Sequence, residues 1–266
     1  MRGAIACAFL TMFATATASA DDGGLRDLCP DRPGKGTSAC TVDSGHFQLE
    51  VDAFDGAFQR EGGVTTDTYF VANPTLKYGL SDDLDIEASL APLETIRTHD
   101  ASGSETETGI GDLFLRGKLN IAGNEGGAWG IAIEPFLKIP TARRDIGNGA
   151  MEGGALVPLS FDLGGGWSLG STPEIDVLRN ESGSGYHADI INVLGIGRAF
   201  GDHVTLGAEA WASSDLDPAG STQSYSIDFD VAWQPDNDIQ LDGGINLGLN
   251  RATPGAQVYA GISRRF

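Results

Sequence analysis

The chain has few basic residues and, beyond its first 20 residues, no long apolar run. No later segment approaches the about 20 consecutive apolar residues that a transmembrane helix needs, so we predict none. The 17 Lys and Arg residues face 37 Asp and Glu, which gives a formal net charge of −20. That charge excludes a basic nucleic-acid binder, because the chain repels phosphate overall. Only three Met against 38 Gly argues against a helical protein.

The N-terminus has the pattern of an export signal. Met1-Arg2 is a short positive start, and the apolar, Ala-rich stretch 4–16 follows it. Ala18-Ser19-Ala20 then matches a small-residue cleavage site. We therefore predict a secretory signal peptide over residues 1–20, and the alternative is a buried N-terminal helix.

Two cysteines remain once the predicted signal peptide, which carries Cys7, is removed. Cys29 and Cys40 would then face an oxidising compartment, where a disulfide is the expected state. A zinc site is the alternative, but two Cys without a nearby His make a poor ligand set. Residues 21–44 are rich in Gly, Pro, Asp and Arg and lack periodicity. We predict that they form an irregular periplasmic segment tied by this disulfide.

From residue 45 to residue 266 the sequence alternates apolar and polar residues. Leu84, Ile86 and Ala88, for example, alternate with Asp85 and Glu87. Such a period of two predicts strands with one apolar face, and it recurs in twelve segments. The stretch 187–200 is ambiguous, because apolar residues occupy both faces.

The predicted connections alternate in length. Short turns fall near 81–83, 122–127, 164–166, 201–203 and 234–238. Longer polar loops fall near 55–67, 96–108, 141–152, 179–186, 213–222 and 251–255. This layout predicts an all-β fold, a transmembrane antiparallel up-and-down β-barrel of about twelve strands in the bacterial outer membrane. The alternative is a soluble β-sandwich.

The C-terminus resembles the signal that the barrel-assembly machinery of the outer membrane reads. Tyr259, Gly261 and Phe266 match its aromatic, glycine and terminal aromatic positions. Arg264 departs from it, since an apolar residue is usual there, but an outward Arg near the interface can snorkel. We therefore expect membrane lipid and the assembly machinery as partners.

Several short motifs resemble one family. They are Cys29-Pro30-Asp31-Arg32-Pro33, Cys40-Thr41-Val42, Gly45-His46-Phe47-Gln48-Leu49-Glu50, Tyr78-Gly79-Leu80-Ser81-Asp82, Gly109-x-Gly111-Asp112 with Lys118, and Pro135-x-x-Lys138-x-Pro140-Thr141. Together they are similar to an outer-membrane transporter family named after the MetA-pathway of phenol degradation. The resemblance covers most of the chain and implies a barrel transporter whose substrates are linked by name to aromatic compounds. Ala142 stands where the family usually has Gly.

The polar face of the strands predicts the lining of a lumen. Its charged residues are Glu50, Asp52, Lys77, Asp85, Glu87, Arg116, Lys118, Glu134, Lys138, Asp162, Glu174, Asp176, Glu209, Asp228, Asp230 and Asp242. Acidic linings favour cations, so we expect a cation-preferring channel for passive diffusion of small solutes. In the alternative, salt bridges made by Arg116, Lys118 and Lys138 hold a narrow lumen shut.

Enzyme motifs are weak. Gly166-Trp167-Ser168-Leu169-Gly170 matches G-x-S-x-G, but a nucleophile elbow needs a strand, a turn and a helix, and this stretch opens a strand. The four His residues are dispersed without metal-ligand spacing. We predict no catalytic residue, no cofactor and no metal. A non-conducting structural barrel and a barrel-type membrane enzyme remain alternatives, and the sequence leaves the oligomeric state open.

Overall fold

Fifteen antiparallel strands follow one another along the chain in the computed structural model, which describes residues 24–266. The predicted signal peptide lies outside these residues. The strands are β1 (Phe47–Glu61), β2 (Val64–Ser81), β3 (Leu84–Leu90), β4 (Glu94–Asp100), β5 (Gly103–Gly109), β6 (Leu113–Ala122), β7 (Trp129–Ile139), β8 (Glu152–Leu156), β9 (Leu159–Gly164), β10 (Trp167–Arg179), β11 (Tyr186–Phe200), β12 (Val204–Asp215), β13 (Thr222–Asp236), β14 (Ile239–Gly248) and β15 (Ala256–Arg265). Within this part of the chain no helix is long and apolar enough to cross a lipid bilayer.

The sheet closes on itself, because β1 pairs with both β2 and β15. β3 and β4 both pair with β2, and β8 and β9 both lie between β7 and β10. These pairs, and β5 with β6, are therefore halves of single barrel strands, which reduces fifteen strands to twelve. Pro92 and Pro158 lie at two of the breaks, where a residue without an N–H interrupts the ladder. The predicted twelve-stranded barrel is confirmed.

The two ends of the barrel differ. The turn end holds Phe47, Phe266 and the five predicted short turns, all of which are confirmed. At the opposite loop end, the predicted loops 55–67 and 96–108 are wrong. β1 and β2 continue to a tight turn at Gly62 and Gly63, and β4 and β5 form a hairpin. Both strand faces carry polar residues in these segments, so the sequence shows no alternation, although the backbone hydrogen bonds between the strands continue.

The barrel is apolar outside and polar inside. Exposed apolar side chains such as Leu119, Ile133 and Phe229 cover its outer face. By contrast, Lys118 and Asp228 are fully buried inside. Soluble proteins bury apolar residues and expose polar ones, and a barrel whose outer face meets lipid reverses this distribution.

The ambiguous stretch 187–200 is resolved by the structure. Ile190, Leu194 and Ile196 are exposed on the outer face of β11. Val193 faces inward and is only 3% exposed. Its methyl group lies near Gly36 of the N-terminal segment, which supplies an apolar contact inside a polar lumen. An apolar residue on the inner face of β11 is therefore explained by its contact with the N-terminal segment.

Candidate functional site

Residues 24–44, called the plug segment below, enter the barrel from the turn end. The backbone N–H of Lys35 donates to Glu209 of β12 at 2.7 Å, and that of Thr37 donates to Thr172 of β10 at 3.1 Å. The backbone N–H of Asp31 donates to Glu50 of β1 at 3.2 Å. Because these strands lie on different sides of the barrel, the plug segment crosses the lumen. The sequence analysis instead predicted a periplasmic position for this segment.

The predicted disulfide closes the plug segment. Cys29 and Cys40 are bonded, with their Cα atoms 6.3 Å apart. The loop between them carries the three charged residues Asp31, Arg32 and Lys35, each of which meets an opposite charge on the barrel wall. These buried partners explain why a polar segment without periodicity lies inside the lumen.

Asp31 lies among buried lysines of the wall. Its carboxylate is 2.6 Å from Lys118 Nζ and also contacts Lys77. Lys118 Nζ is 3.3 Å from Glu134, and both lysines are 3.6 Å from Glu87. Burial by itself raises the pKa of the Asp31 carboxyl group, but the ammonium groups of Lys118 and Lys77 outweigh burial and hold that pKa well below its ordinary range.

Three carboxylates converge around Lys118. Oxygen atoms of Asp31, Glu87 and Glu134 lie within 4.8 Å of one another, a spacing that suits a cation. Lys118 Nζ is at 2.6, 3.6 and 3.3 Å from these three residues. The ammonium group of a lysine therefore already supplies the positive charge that these oxygens need.

Arg32 and Lys35 make the other charged contacts of the plug segment. Arg32 bonds Asp242 at 2.6 Å and also contacts Asp52. Burial lowers the pKa of Arg32, but Asp242 and Asp52 outweigh it, so the net pKa is raised. Lys35 Nζ donates to Ser226 at 2.7 Å and lies 3.4 Å from Asp228, while its burial lowers its pKa.

The structure divides the sixteen predicted lumen residues into three groups. Eight contact the plug segment: Glu50, Asp52, Lys77, Asp85, Lys118, Glu209, Asp228 and Asp242. Six line a cavity beyond it: Glu87, Arg116, Glu134, Lys138, Glu174 and Asp176. Of the other two, Asp230 lines a second cavity nearer the turn end, and Asp162 is exposed near that end.

The cavity beyond the plug segment extends toward the loop end. Its volume is about 430 Å³, and Asp31, Arg32 and Thr37 form part of its lining. Sequence reasoning missed its apolar wall, which consists of Phe114, Phe136, Leu156 and Leu178. Strand parity could have found them, because each lies two residues from a predicted inward charge or on the same face of an adjacent strand.

The basic residues of this cavity are paired, whereas two acids are not. Arg116 lies 3.7 Å from Glu134, and Lys138 lies 2.6 Å from Glu152. Within residues 24–266, Glu174 and Asp176 of β10 form no ion pair. Asp176 Oδ1 is also buried without a hydrogen-bond partner in this part of the chain. The cavity therefore has two acids on one side that form no ion pair in this part of the chain.

Two remaining sequence features have clear positions. Ser168 of the G-x-S-x-G match lies on β10 after a turn of glycines, in a strand–turn–strand rather than the context of a nucleophile elbow. The C-terminal residues Tyr259 and Gly261 lie on β15, and Phe266 pairs with Phe47 through two backbone hydrogen bonds. A Cβ at Gly261 would lie 2.3 Å from Arg32 Nη2, so this glycine also makes room for the plug segment.

Comparison with known proteins agrees with this architecture. The model of the family described as "Putative MetA-pathway of phenol degradation" matches residues 30–266. No curated protein sequence matches the chain. Among solved structures, an outer-membrane channel from Pseudomonas putida F1 is similar with a TM-score of 0.68 and 14% identity, over 88% of this chain and 99% of that one.

Two further structures share the fold at a lower level. The porin NanC has a TM-score of 0.51 and 10% identity, over 81% of this chain and 98% of that one. The β domain of the Bordetella autotransporter BrkA has a TM-score of 0.52 and 14% identity, over 84% of this chain and all of that one. Their fold is that of bacterial outer-membrane β-barrels, and the apolar outer face of this chain fits the same membrane.

Proposed function

The chain belongs to the family described as "Putative MetA-pathway of phenol degradation", and we propose that it is an outer-membrane channel for the passive diffusion of small solutes. In this proposal residues 1–20 are a cleaved signal peptide, and the turn end faces the periplasm. Tyr259, Gly261 and Phe266 serve as the signal for the barrel-assembly machinery. The family description extends the proposal to aromatic solutes.

The observation that carries this proposal is the way in which the lumen is filled. Twelve strands lie between the eight that side chains fill and the sixteen that leave an aqueous channel. Here a cavity of about 430 Å³ occupies the loop side, and a separate segment fills the turn side. The plug segment is part of the chain before β1 and not of the barrel wall. Its displacement would open the lumen without unfolding any strand.

We also infer that the lumen prefers cations. Twelve of the sixteen lumen residues are acidic and four are basic. Lys77, Lys118, Lys138 and Arg116 all have acidic partners, whereas Glu174 and Asp176 have no basic partner within residues 24–266. Acidic linings raise the local cation concentration and exclude anions.

Planar-bilayer recordings in a KCl gradient test this function. We expect a conductance whose reversal potential lies toward the potassium equilibrium potential. Anion selectivity would contradict the cation preference. Liposome swelling with sugars, amino acids and aromatic acids then identifies the solutes that pass. No conductance and no swelling, both with the native chain and after release of the plug segment, would contradict the channel itself.

A non-conducting structural barrel is the second candidate. The observation in its favour is the network of buried ion pairs that joins Asp31 to Lys77 and Lys118 and fills the centre of the lumen. The two candidates differ in one outcome. Weakening the Asp31 contacts produces current only if the barrel is a channel. Catalysis has no part in either candidate.

A further inference from the structure

We propose that the cavity between the plug segment and the loop end holds a binding site for a small organic cation, an ammonium group attached to an apolar or aromatic body. Glu174 and Asp176 would bind the ammonium group, and Phe136, Leu156 and Leu178 would contact the apolar body. The proposal rests on the channel function above and names a class of solute for it.

Three adjacent strands build this site. In one row across the sheet, Glu134 of β7, Leu156 of β8 and Glu174 of β10 are register partners. In the next row the partners are Phe136, Gly154 and Asp176. Apolar and acidic side chains therefore alternate on neighbouring strands of one wall, which places a hydrophobic surface directly beside two carboxylates.

Gly154 brings the ring and the carboxylate together. A Cβ at this position would lie 2.4 Å from Asp176 Oδ1 and 2.8 Å from Cε1 of Phe136. Both groups thus occupy the space that a side chain at residue 154 would fill. A carboxylate next to an aromatic ring suits an organic ammonium ion, which gains charge attraction from the first and cation–π attraction from the second.

The acids of the cavity disfavour anionic ligands and give neutral ligands no charge attraction. Two carboxylates on one strand face repel each other unless a positive charge or a proton lies between them. Lys138 and Arg116 pair with Glu152 and Glu134, so within residues 24–266 the two acids of β10 form no ion pair with either base. An anionic solute would therefore meet repulsion at Glu174 and Asp176. A neutral aromatic solute would make the apolar contacts with Phe136 and Leu178 but would gain no charge attraction from the two carboxylates.

Isothermal titration calorimetry on the full mature protein in detergent tests the site, with benzylammonium as the probe. We expect benzylammonium to bind at least about tenfold more tightly than methylammonium, benzyl alcohol or benzoate, where tenfold corresponds to about 1.4 kcal/mol. Asp176→Asn and Glu174→Gln should each weaken benzylammonium binding about tenfold. Phe136→Leu should weaken it about fivefold, within the range of a cation–π contact.

Two further variants keep the test decisive. Gly154→Ala removes no charge and no ring, but its Cβ would displace Asp176, Phe136 and the backbone oxygen of Ile175, so it should weaken binding as well. Glu105→Gln removes a carboxylate that is exposed on β5, outside the cavity, and should bind benzylammonium like the native chain. Heat-modified migration on gels shows that each variant is folded before its titration is compared.

Three results would overturn the proposal. They are no binding of benzylammonium, equal binding of benzyl alcohol, and unchanged affinity in the folded Glu174→Gln, Asp176→Asn double variant. These results are independent of the conductance test. A barrel that passes potassium but does not bind benzylammonium retains the proposed channel function and lacks this site. A barrel that binds benzylammonium but never conducts loses the channel function only.

Discussion

Asp31 Oδ1 lies 2.6 Å from Nζ of Lys118, a residue that follows it by 87 positions in the chain. The lysine is fully buried in the barrel wall, and the aspartate belongs to the segment that crosses the lumen. This pair joins a removable segment to a fixed wall through opposite charges. A change at this pair therefore tests how charge holds the plug segment in the barrel.

Asp31→Asn should release the plug segment. Lys77 and Lys118 would lose their central counter-charge in a buried site, while Glu50 and Glu134 remain beside them. We expect docking to weaken by about 3 kcal/mol, the lower end of the range for breaking a buried ion pair. Planar-bilayer recordings should show larger currents than the native chain. Asp27→Asn is the matched control, because Asp27 is exposed in the same segment. Equal currents from both variants would contradict the role of Asp31.

Docking of the plug segment should resist mild acid. Because the pKa of Asp31 is lowered in the folded chain, its stabilisation is fully present above the ordinary value of 3.8 and is lost only as pH falls below it. Protease accessibility of residues 24–44 should thus stay constant from about pH 7 to about pH 5 and rise only in stronger acid. An increase already near neutral pH would show that other groups control docking.

Loss of the disulfide should affect the plug segment and spare the barrel. The bond between Cys29 and Cys40 closes a loop with a sequence separation of 11. By loop entropy, the Cys29→Ser, Cys40→Ser double variant should weaken the ordered segment by about 2–3 kcal/mol. We expect larger currents and an unchanged temperature of barrel unfolding. A lower unfolding temperature for the barrel would mean that the segment supports the wall.

Phe266→Ala should impair assembly more than a matched change elsewhere. Phe266 and Phe200 are both exposed aromatic residues at the turn end, with exposed fractions of 48% and 54%. Loss of either side chain removes similar contact with lipid, but only Phe266 belongs to the proposed assembly signal. The measurement is the fraction of heat-modifiable barrel in the outer membrane. Equal fractions of heat-modifiable barrel for Phe266→Ala and Phe200→Ala would contradict the role of Phe266 as an assembly signal.

The alternation of apolar and polar residues was sufficient to predict the strands in the part of the barrel where one strand face is apolar. Alternation such as that of Leu84, Ile86 and Ala88 predicts orientation directly, because successive side chains of a strand point to opposite faces. Toward the loop end, the same strands no longer show this alternation. The extension of β1 and β2 to Gly62 and Gly63 depends on backbone pairing between polar residues, which leaves no apolar period to read.

The sequence by itself determined the barrel and its strand number, and it predicted charges on the polar strand face. Only the tertiary structure decided what those charges do. Arg32 meets Asp242, a partner 210 positions away, and Asp31 meets Lys118 across the lumen. Pairing between residues so far apart depends on closure of the whole barrel and not on any local period. The same closure leaves Glu174 and Asp176 unpaired in the described chain and places Phe136 beside them.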